Sequence, residues 1–320
     1  VGLTIGVDVG GTKVLAGTVD DAGTILHSVR LPTPPDDGGE LFTTVAEAVA
    51  ACRERWEAVA IGVAVAGFVD VERTRVVLAP NLPGTDERLK AELERRTGLP
   101  VLLENDANAA AWGEYRFGAG AGDDMVCVTV GTGVGGGIVL SGRLVRGRWG
   151  LAAEFGHLRV EPDGRPCGCG RRGCWEQYAG GPALVREARR LAEADRSAAQ
   201  RLLALGDGTP EGLEGPHVSA AARCGDPIAL AAFGFVGRWL GEGLAQLAAV
   251  LDPAAFVIGG GVSDAGDVLL EPARAAYAAS LTGVEHRPLA EIRRAQLGDN
   301  AGLVGAADLA RTVGAGGPVR

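Results

Sequence analysis

At 320 residues the chain is long for a single hydrophobic core, so two domains are expected. Its 47% hydrophobic and 22% charged content excludes a disordered or low-complexity chain. A formal net charge of −9 argues against a broad nucleic-acid or anionic-membrane surface, since both need clustered positive charge.

Lysine occurs only at Lys13 and Lys90, so arginine carries nearly all the positive charge. No apolar run reaches the roughly 18 residues of a membrane-spanning helix. The opening VGLTIGVDVGGT shows no basic leader and no small-residue cleavage site, and a cytoplasmic location is expected. In that compartment cysteines are expected as thiols or metal ligands rather than disulfides.

LTIGVDV, KVLAGTVD and ILHSVR read as three strands turned at GGT and DAGT. After the Pro-rich LPTPPDDGG, ELFTTVAEAVAACRERW has helical spacing and VAIGVAVAG reads as a buried strand. A helix near DERLKAELERRTG, a strand PVLLE and an Ala-rich helix beginning near Asn105 follow. The opening pattern then recurs: DMVCVTV as strand, GTGVGG as turn, GIVLSGRL as strand, LVRGRW as another short one. Residues 181–250 read as mostly helical, and AAFVIGGGVS as a buried strand entering a glycine turn. AGLVGAADLARTV is the last helix before a Gly-rich tail that is expected to be disordered.

Strands alternating with helices predict an α/β protein. The repeated glycine-turned meander predicts a structural duplication. A smaller α/β domain over 1–116 is joined by a C-terminal helix at about 300–313, and a larger one spans 117–299. The cleft between two such domains is the natural ligand site.

In DVGGTK, Gly10 and Gly11 let the backbone approach a phosphate, and Thr12 and Lys13 can donate to its oxygens. Asp8, at a strand end, can hold Mg²⁺ directly or through water. A plain hairpin turn explains two glycines equally well. The acid, hydroxyl and lysine beside them favour the phosphate reading.

GTGVGG matches the spacing of a dinucleotide fingerprint, but that fingerprint must open a helix and this one continues as strand. Gly131, Thr132 and Gly133 are therefore read as a second phosphate hairpin. No P-loop pattern occurs in the chain. Gly260 and Gly261 would let a nucleotide base or ribose lie against the backbone, and a tight strand-to-helix turn accounts for them as well.

The stretch EFGHLRVEPDGRPCGCGRRGCWEQ concentrates half of the chain's six cysteines beside a histidine. His157, Cys167, Cys169 and Cys174 form a Cys₃His set suited to tetrahedral structural Zn²⁺. The C-x-C spacing is tighter than in common zinc fingers, and a disulfide or an inert reduced loop stays open on spacing alone. Cys52, Cys127 and Cys224 lie in apolar or helical contexts and are expected in the core.

These segments together resemble the ROK family of repressors, open reading frames and kinases, and within it the glucose kinases of actinobacteria. CGCGRRGCWE fits the family's C-x-C-G-x-x-G-C-x-E pattern in full, ENDANAAAWGE is nearly as diagnostic, and the likeness runs from DVGGTK to GLVGAADLA. The resemblance implies a two-domain, actin-like, hexokinase-type (ribonuclease H-like) ATPase fold. It also implies an ATP- and Mg²⁺-dependent kinase acting on the 6-hydroxyl of a hexose, glucose first. Asp106 is then the catalytic base and Asn105 a sugar ligand, although either also reads as the helix N-cap. A helix N-terminus stabilises a carboxylate, so Asp106 is expected to be ionised at neutral pH. Gly67 and Asn81 are expected to line the same pocket.

Zinc on one ring nitrogen of His157 fixes the proton on the other, which can then donate to a sugar hydroxyl. Glu154 and Glu176 complement it as acceptors, where an isolated glutamate is ordinarily a surface carboxylate. Family members are commonly dimers or tetramers, so a homo-oligomer is expected. Alternatives are a kinase for N-acetylglucosamine, N-acetylmannosamine or fructose, and a sugar-responsive repressor. A repressor would need a helix-turn-helix ahead of the first phosphate hairpin and a basic segment, and the sequence shows neither.

Overall fold

The structure is a computed structural model that describes residues 2–34, 38–79, 82, 88–120 and 122–314. Asn81, part of the Pro-rich loop and the Gly-rich tail from residue 315 lie outside the described residues.

The chain opens with β1 (Leu3–Val9), β2 (Lys13–Val19) and β3 (Ile25–Pro32). Next come α1 (Gly38–Arg53), β4 (Ala58–Val65), and a small ribbon of β5 (Phe68–Val69) and β6 (Val76–Leu78). Then α2 (Leu89–Thr97), β7 (Val101–Asn105) and α3 (Asp106–Phe117) follow. The first sheet has the order β3-β2-β1-β4-β7, with β1 antiparallel to β2 and parallel to β4, and β4 parallel to β7. The apolar runs of β1, β4 and β7 are buried because helices cover this sheet, as parallel strands require.

A second five-stranded sheet runs β10-β9-β8-β11-β12. Its strands are β8 (Met125–Val130), β9 (Val134–Leu140), β10 (Arg143–Leu144), β11 (Ala255–Gly259) and β12 (Glu291–Arg294). Between β10 and β11 lie α4 (Glu176–Ala179), α5 (Gly181–Ala194), α6 (Gln200–Leu203), α7 (Gly215–Arg223) and α8 (Pro227–Leu251). Helix α9 (Asp267–Ser280) precedes β12, and α10 (Ala301–Gly314) closes the described chain. Residues 1–127, 136–153 and 295–320 group as one compact unit, and 128–135 with 154–294 as another, so β8 and β9 contribute to both.

Helix α10 belongs to the first unit and sits directly on its sheet. Gly6 and Gly62 are register partners on β1 and β4. A Cβ on either would lie 1.9 Å from a carbonyl oxygen of α10, Leu303 for Gly6 and Ala306 for Gly62. These two strand glycines are the seat of the helix. On the sheet's other face Leu41, Phe42, Val45 and Val49 of α1 and Leu89 and Leu93 of α2 pack against Ile5, Val7, Ile61 and Val63. At the carboxyl end of α3, buried Glu114 accepts backbone N–H groups from Ala119 (2.9 Å), Gln296 (3.0 Å) and Leu297 (2.7 Å). It thus pins the turn after α3 to the segment before α10.

In the second unit α8 is an apolar core helix. It is long and apolar enough to cross a membrane by length and composition, and 56% of its most apolar window is buried within the protein. Trp175 packs against Gly243 of α8 and donates its indole N–H to the Trp239 carbonyl at 2.7 Å.

Two local expectations need correction. The second glycine turn is shorter than GTGVGG, because β9 already begins at Val134. Gly137, within β9, is a position where α3 leaves no room for a side chain: a Cβ there would lie 2.6 Å from the Ala111 methyl. LVRGRW is not a strand beyond Leu144, since Arg146 leaves the sheet edge to enter a buried ionic cluster.

Candidate functional site

In the first unit, β1 and β7 are separated only by β4 and end side by side, which brings Asp8 and Asn105–Asp106 to one edge of the sheet. Asn105 is the residue that caps α3: its extended backbone (φ −63°, ψ 142°) lets the side-chain oxygen accept from Asn108 N–H at 2.9 Å. Its amide donates to the Gly67 carbonyl at 3.0 Å and to Asp106 Oδ1 at 3.1 Å. One asparagine therefore ties three expected site residues together. Gly67 has little room for a side chain, as a Cβ would lie 2.6 Å from the Leu78 carbonyl oxygen.

Burial raises the pKa of Asp106, outweighing the lowering by its own and Ala107's backbone N–H groups and by the Asn105 amide. The helix amides favour the carboxylate, but desolvation is the larger effect.

Burial and then the charge of Asp106 push Asp8 up to about 6, with Lys13 opposing them. Its carboxyl carbon would lie 3.2 Å from a Cβ at Gly302, so it rests against the first turn of α10. Because the folded pKa exceeds the ordinary value of 3.8, the folded chain binds this proton more tightly than the unfolded one. Stability is therefore lost as pH rises between those two values. Asp8→Asn is expected to raise Tm near neutral pH, by up to about 3 kcal/mol in stability, with the gain vanishing toward about pH 4. Melting curves across that range, in chelator and without nucleotide, check this. A gain that did not depend on pH would contradict it.

The DVGGTK turn is braced by Thr33, whose hydroxyl donates to the Gly10 carbonyl at 2.6 Å and whose N–H donates to the Thr12 carbonyl at 3.2 Å. Gly11 and Thr12 are exposed at its tip. Lys13 pairs with Asp299 at 2.7 Å.

In the second unit, Gly131 N–H donates to Gly133 O at 3.0 Å, and Gly181 N–H to Gly131 O at 2.7 Å. The turn is thereby fixed to the start of α5, with Thr132 exposed. Gly260 has φ 81°, and a Cβ there would lie 2.5 Å from the Val130 carbonyl oxygen, so the strand-to-helix turn alone requires it. Gly261 faces open space.

The cysteine loop is a folded knuckle. Bridges pair Arg159 with Cys174 and Pro166 with Arg172, and Cys167 N–H donates to Arg171 O at 2.9 Å. Ligand atoms of His157, Cys167, Cys169 and Cys174 lie within 4.8 Å of one another. Cys169 and Cys174 sulfurs are 3.6 Å apart, and Cys167 Sγ is 3.6 Å from His157 Nδ1. Tetrahedral zinc with Zn–S of about 2.3 Å needs sulfur separations of roughly 3.8 Å. The donor set fits the ion, and Nδ1 is the nitrogen turned toward it. All six cysteines are free thiols.

Glu176 leaves the knuckle at the first turn of α4, and its Oε1 accepts the Cys167 thiol at 2.9 Å. Its Oε2 would lie 2.7 Å from a Cβ at Gly133, which sets it against the glycine hairpin. Glu154 is exposed, and its carbonyl accepts from His157 N–H at 3.1 Å. Cys52 and Cys127 are buried, but Cys224 is exposed because it is the C-cap of α7 rather than part of its packed face. Sequence reasoning missed Glu104, Arg73 and Arg146, which form a buried ionic cluster directly behind Asn105. The one local signal for it was a glutamate ending an otherwise apolar strand.

Two five-stranded sheets, each entered through a glycine-turned meander, define the actin-like, hexokinase-type class of kinase folds. The sequence pattern of the ROK family matches residues 4–313, and the chain belongs to that family. It is 54% identical over 311 residues to the glucokinase of Streptomyces coelicolor, covering 97% of this chain and 98% of that protein. Among solved structures, a ROK family glucokinase from Streptomyces griseus in complex with glucose and AMPPNP is 55% identical, with a TM-score of 0.88 over 97% of this chain and 100% of that one. The ROK hexokinase from Thermus thermophilus is 36% identical, with a TM-score of 0.79 over 98% of this chain and 100% of that one.

Proposed function

We propose that this protein is an ATP-dependent glucokinase that phosphorylates the 6-hydroxyl of glucose. The observation that carries this reading is the Streptomyces griseus relative holding glucose and AMPPNP, matched in fold over nearly the whole chain. Phosphoryl transfer of this kind needs positioning and charge stabilisation more than covalent chemistry.

Asp106 accepts the 6-hydroxyl proton. A carboxylate whose pKa is raised by burial is a stronger base toward the hydroxyl proton. Asn105 orients both Asp106 and the sugar, and the Gly67 carbonyl it holds borders the same pocket. The turns at Gly10–Lys13 and Gly131–Gly133 offer backbone N–H groups to the phosphates, and Gly260 and Gly261 offer a flat surface to the nucleoside. Asp8 would hold Mg²⁺, which neutralises phosphate charge when bound. Zinc on His157, Cys167, Cys169 and Cys174 would supply rigidity, fixing the proton of His157 on Nε2 to face a sugar hydroxyl. Glu154 and Glu176 then accept from neighbouring hydroxyls.

The reading divides the chain into 1–116, joined by the C-terminal helix at about 300–313, and 117–299, on the strength of the repeated meander. A homo-oligomer, dimer or tetramer, is part of the same reading, and light scattering on the purified protein measures it. The decisive test of function is ATP-dependent phosphorylation across a hexose panel. kcat/KM for glucose is expected to exceed that for N-acetylglucosamine, N-acetylmannosamine and fructose by at least about tenfold. A preference for an N-acetylated sugar would move the substrate assignment.

A further inference from the structure

We propose that Glu104, held by Arg146 and Arg73, is the positioning residue that sets Asn105 and Asp106 for phosphoryl transfer. This rests on the assignment of Asp106 as the base.

Glu104 is the penultimate residue of β7 and is fully buried, at 0% exposure. Its Oε1 accepts from Asn105 N–H at 3.0 Å, from the Asn108 amide at 3.2 Å and from Arg146 Nε at 3.1 Å. Arg73 Nε reaches Oε2 at 2.9 Å as an ion pair without hydrogen-bond alignment. Arg146 also donates to the Val71 carbonyl at 2.7 Å and the Asp70 carbonyl at 2.9 Å. Arg73 is held in a left-handed conformation, φ 59°, as part of this same turn. One carboxylate therefore gathers the first turn of α3, the turn after β5 and the segment after β10.

Such a cluster is weak evidence for stability, because well-packed apolar residues commonly serve as well or better. What it defines is geometry. Asn105, whose backbone N–H rests on Glu104, is the residue whose side chain caps α3 and touches both Gly67 and Asp106. Moving the Glu104 carboxylate moves that residue first and the base with it. A shift of about 1 Å at a reacting group costs on the order of 10²-fold in rate. The nucleotide turn at residues 10–13 is braced by Thr33, so KM for ATP is expected to stay near the wild-type value.

The test is steady-state kinetics of Glu104→Gln, Glu104→Asp and Glu104→Gln/Arg146→Met beside wild type and Asp106→Asn, each assayed well below its Tm. Both single Glu104 variants are expected to lose kcat by about 10- to 100-fold, with KM for ATP within about twofold. Glu104→Asp keeps the charges paired, so it reports on geometry if Glu104→Gln fails to fold. In the double variant Arg146 is no longer left as a buried charge and only Arg73 lacks its carboxylate, so Tm is expected to recover in part while kcat stays low. Wild-type kcat in a folded single variant, a parallel rise in KM for ATP, or recovery of kcat together with Tm overturns the inference. Absent glucose phosphorylation by wild type, or near wild-type turnover in Asp106→Asn, would instead fail the functional reading beneath it.

Discussion

Asp106→Asn is expected to lower kcat by about 10²- to 10⁴-fold, the usual contribution of a positioned general base. The substitution keeps the size of the side chain and its oxygen, so Asn105 can still donate to it and α3 keeps its cap. It removes only the capacity to take the proton. The stability effect has the opposite sign from the activity effect. Since the folded protein raises the pKa of Asp106, folding is penalised once pH climbs past the ordinary carboxylate range, and a neutral side chain escapes that penalty. A variant that is nearly inactive yet melts no lower than wild type at neutral pH is the signature of a base kept at a cost in stability. Turnover near the wild-type value in purified, folded protein would remove Asp106 from that role. A Tm far below wild type would mean that its carboxylate has a structural duty.

Asp106 also shows where reading from sequence runs out. ENDANAAAWGE announces a strand ending in a helix cap, because capping residues and helix formers are local signals. Which of Asn105 and Asp106 does the capping depends on one backbone conformation, and the direction of the pKa shift depends on burial. Burial is set by distant parts of the chain. The same holds for Glu104: its partners Arg73 and Arg146 are 31 and 42 residues away, and nothing near ENDA points to them. Gly6 and Gly62 read as ordinary strand glycines, yet they exist to admit α10, which lies some 300 residues on in the case of Gly6. Helix α9 and β12 went unread for a different reason. A proline at 272 sits inside α9, and EIRR is a short strand whose charged ends hide its alternation. By contrast the glycine hairpins and the CGCGRRGC knuckle are dense local patterns, and the thiols and imidazole do converge.

Loss of a proposed zinc ligand is expected to have the second large effect, on glucose affinity rather than on nucleotide affinity. Cys169 is exposed and anchors no apolar packing, so Cys169→Ser removes a thiolate with little direct damage to the core. The remaining donors hold the ion more weakly, and the loop between His157 and Cys174 loses its cross-link. Glu176 follows Cys174 by two residues at the first turn of α4, and Glu154 adjoins His157 through the short turn they share. All three groups proposed to face the sugar should therefore shift together. Losing even one or two hydrogen bonds to charged groups corresponds to a glucose Kd raised by at least about tenfold. Nucleotide binding should stay within about threefold, since the turn at residues 10–13 is braced by Thr33 and the turn at 131–133 by Gly181 N–H, with Glu176 the knuckle-linked group that rests against it. Cys224→Ser, which alters an exposed thiol outside the cluster, is the control and should change neither. Elemental analysis should find one zinc per chain in wild type and in Cys224→Ser, and less in Cys169→Ser; calorimetric titrations with glucose and AMPPNP complete the comparison. If zinc-free protein binds glucose as tightly as wild type, the metal does not hold the sugar site, and the knuckle's backbone bridges with the Trp175 anchor on α8 suffice to position Glu154, His157 and Glu176.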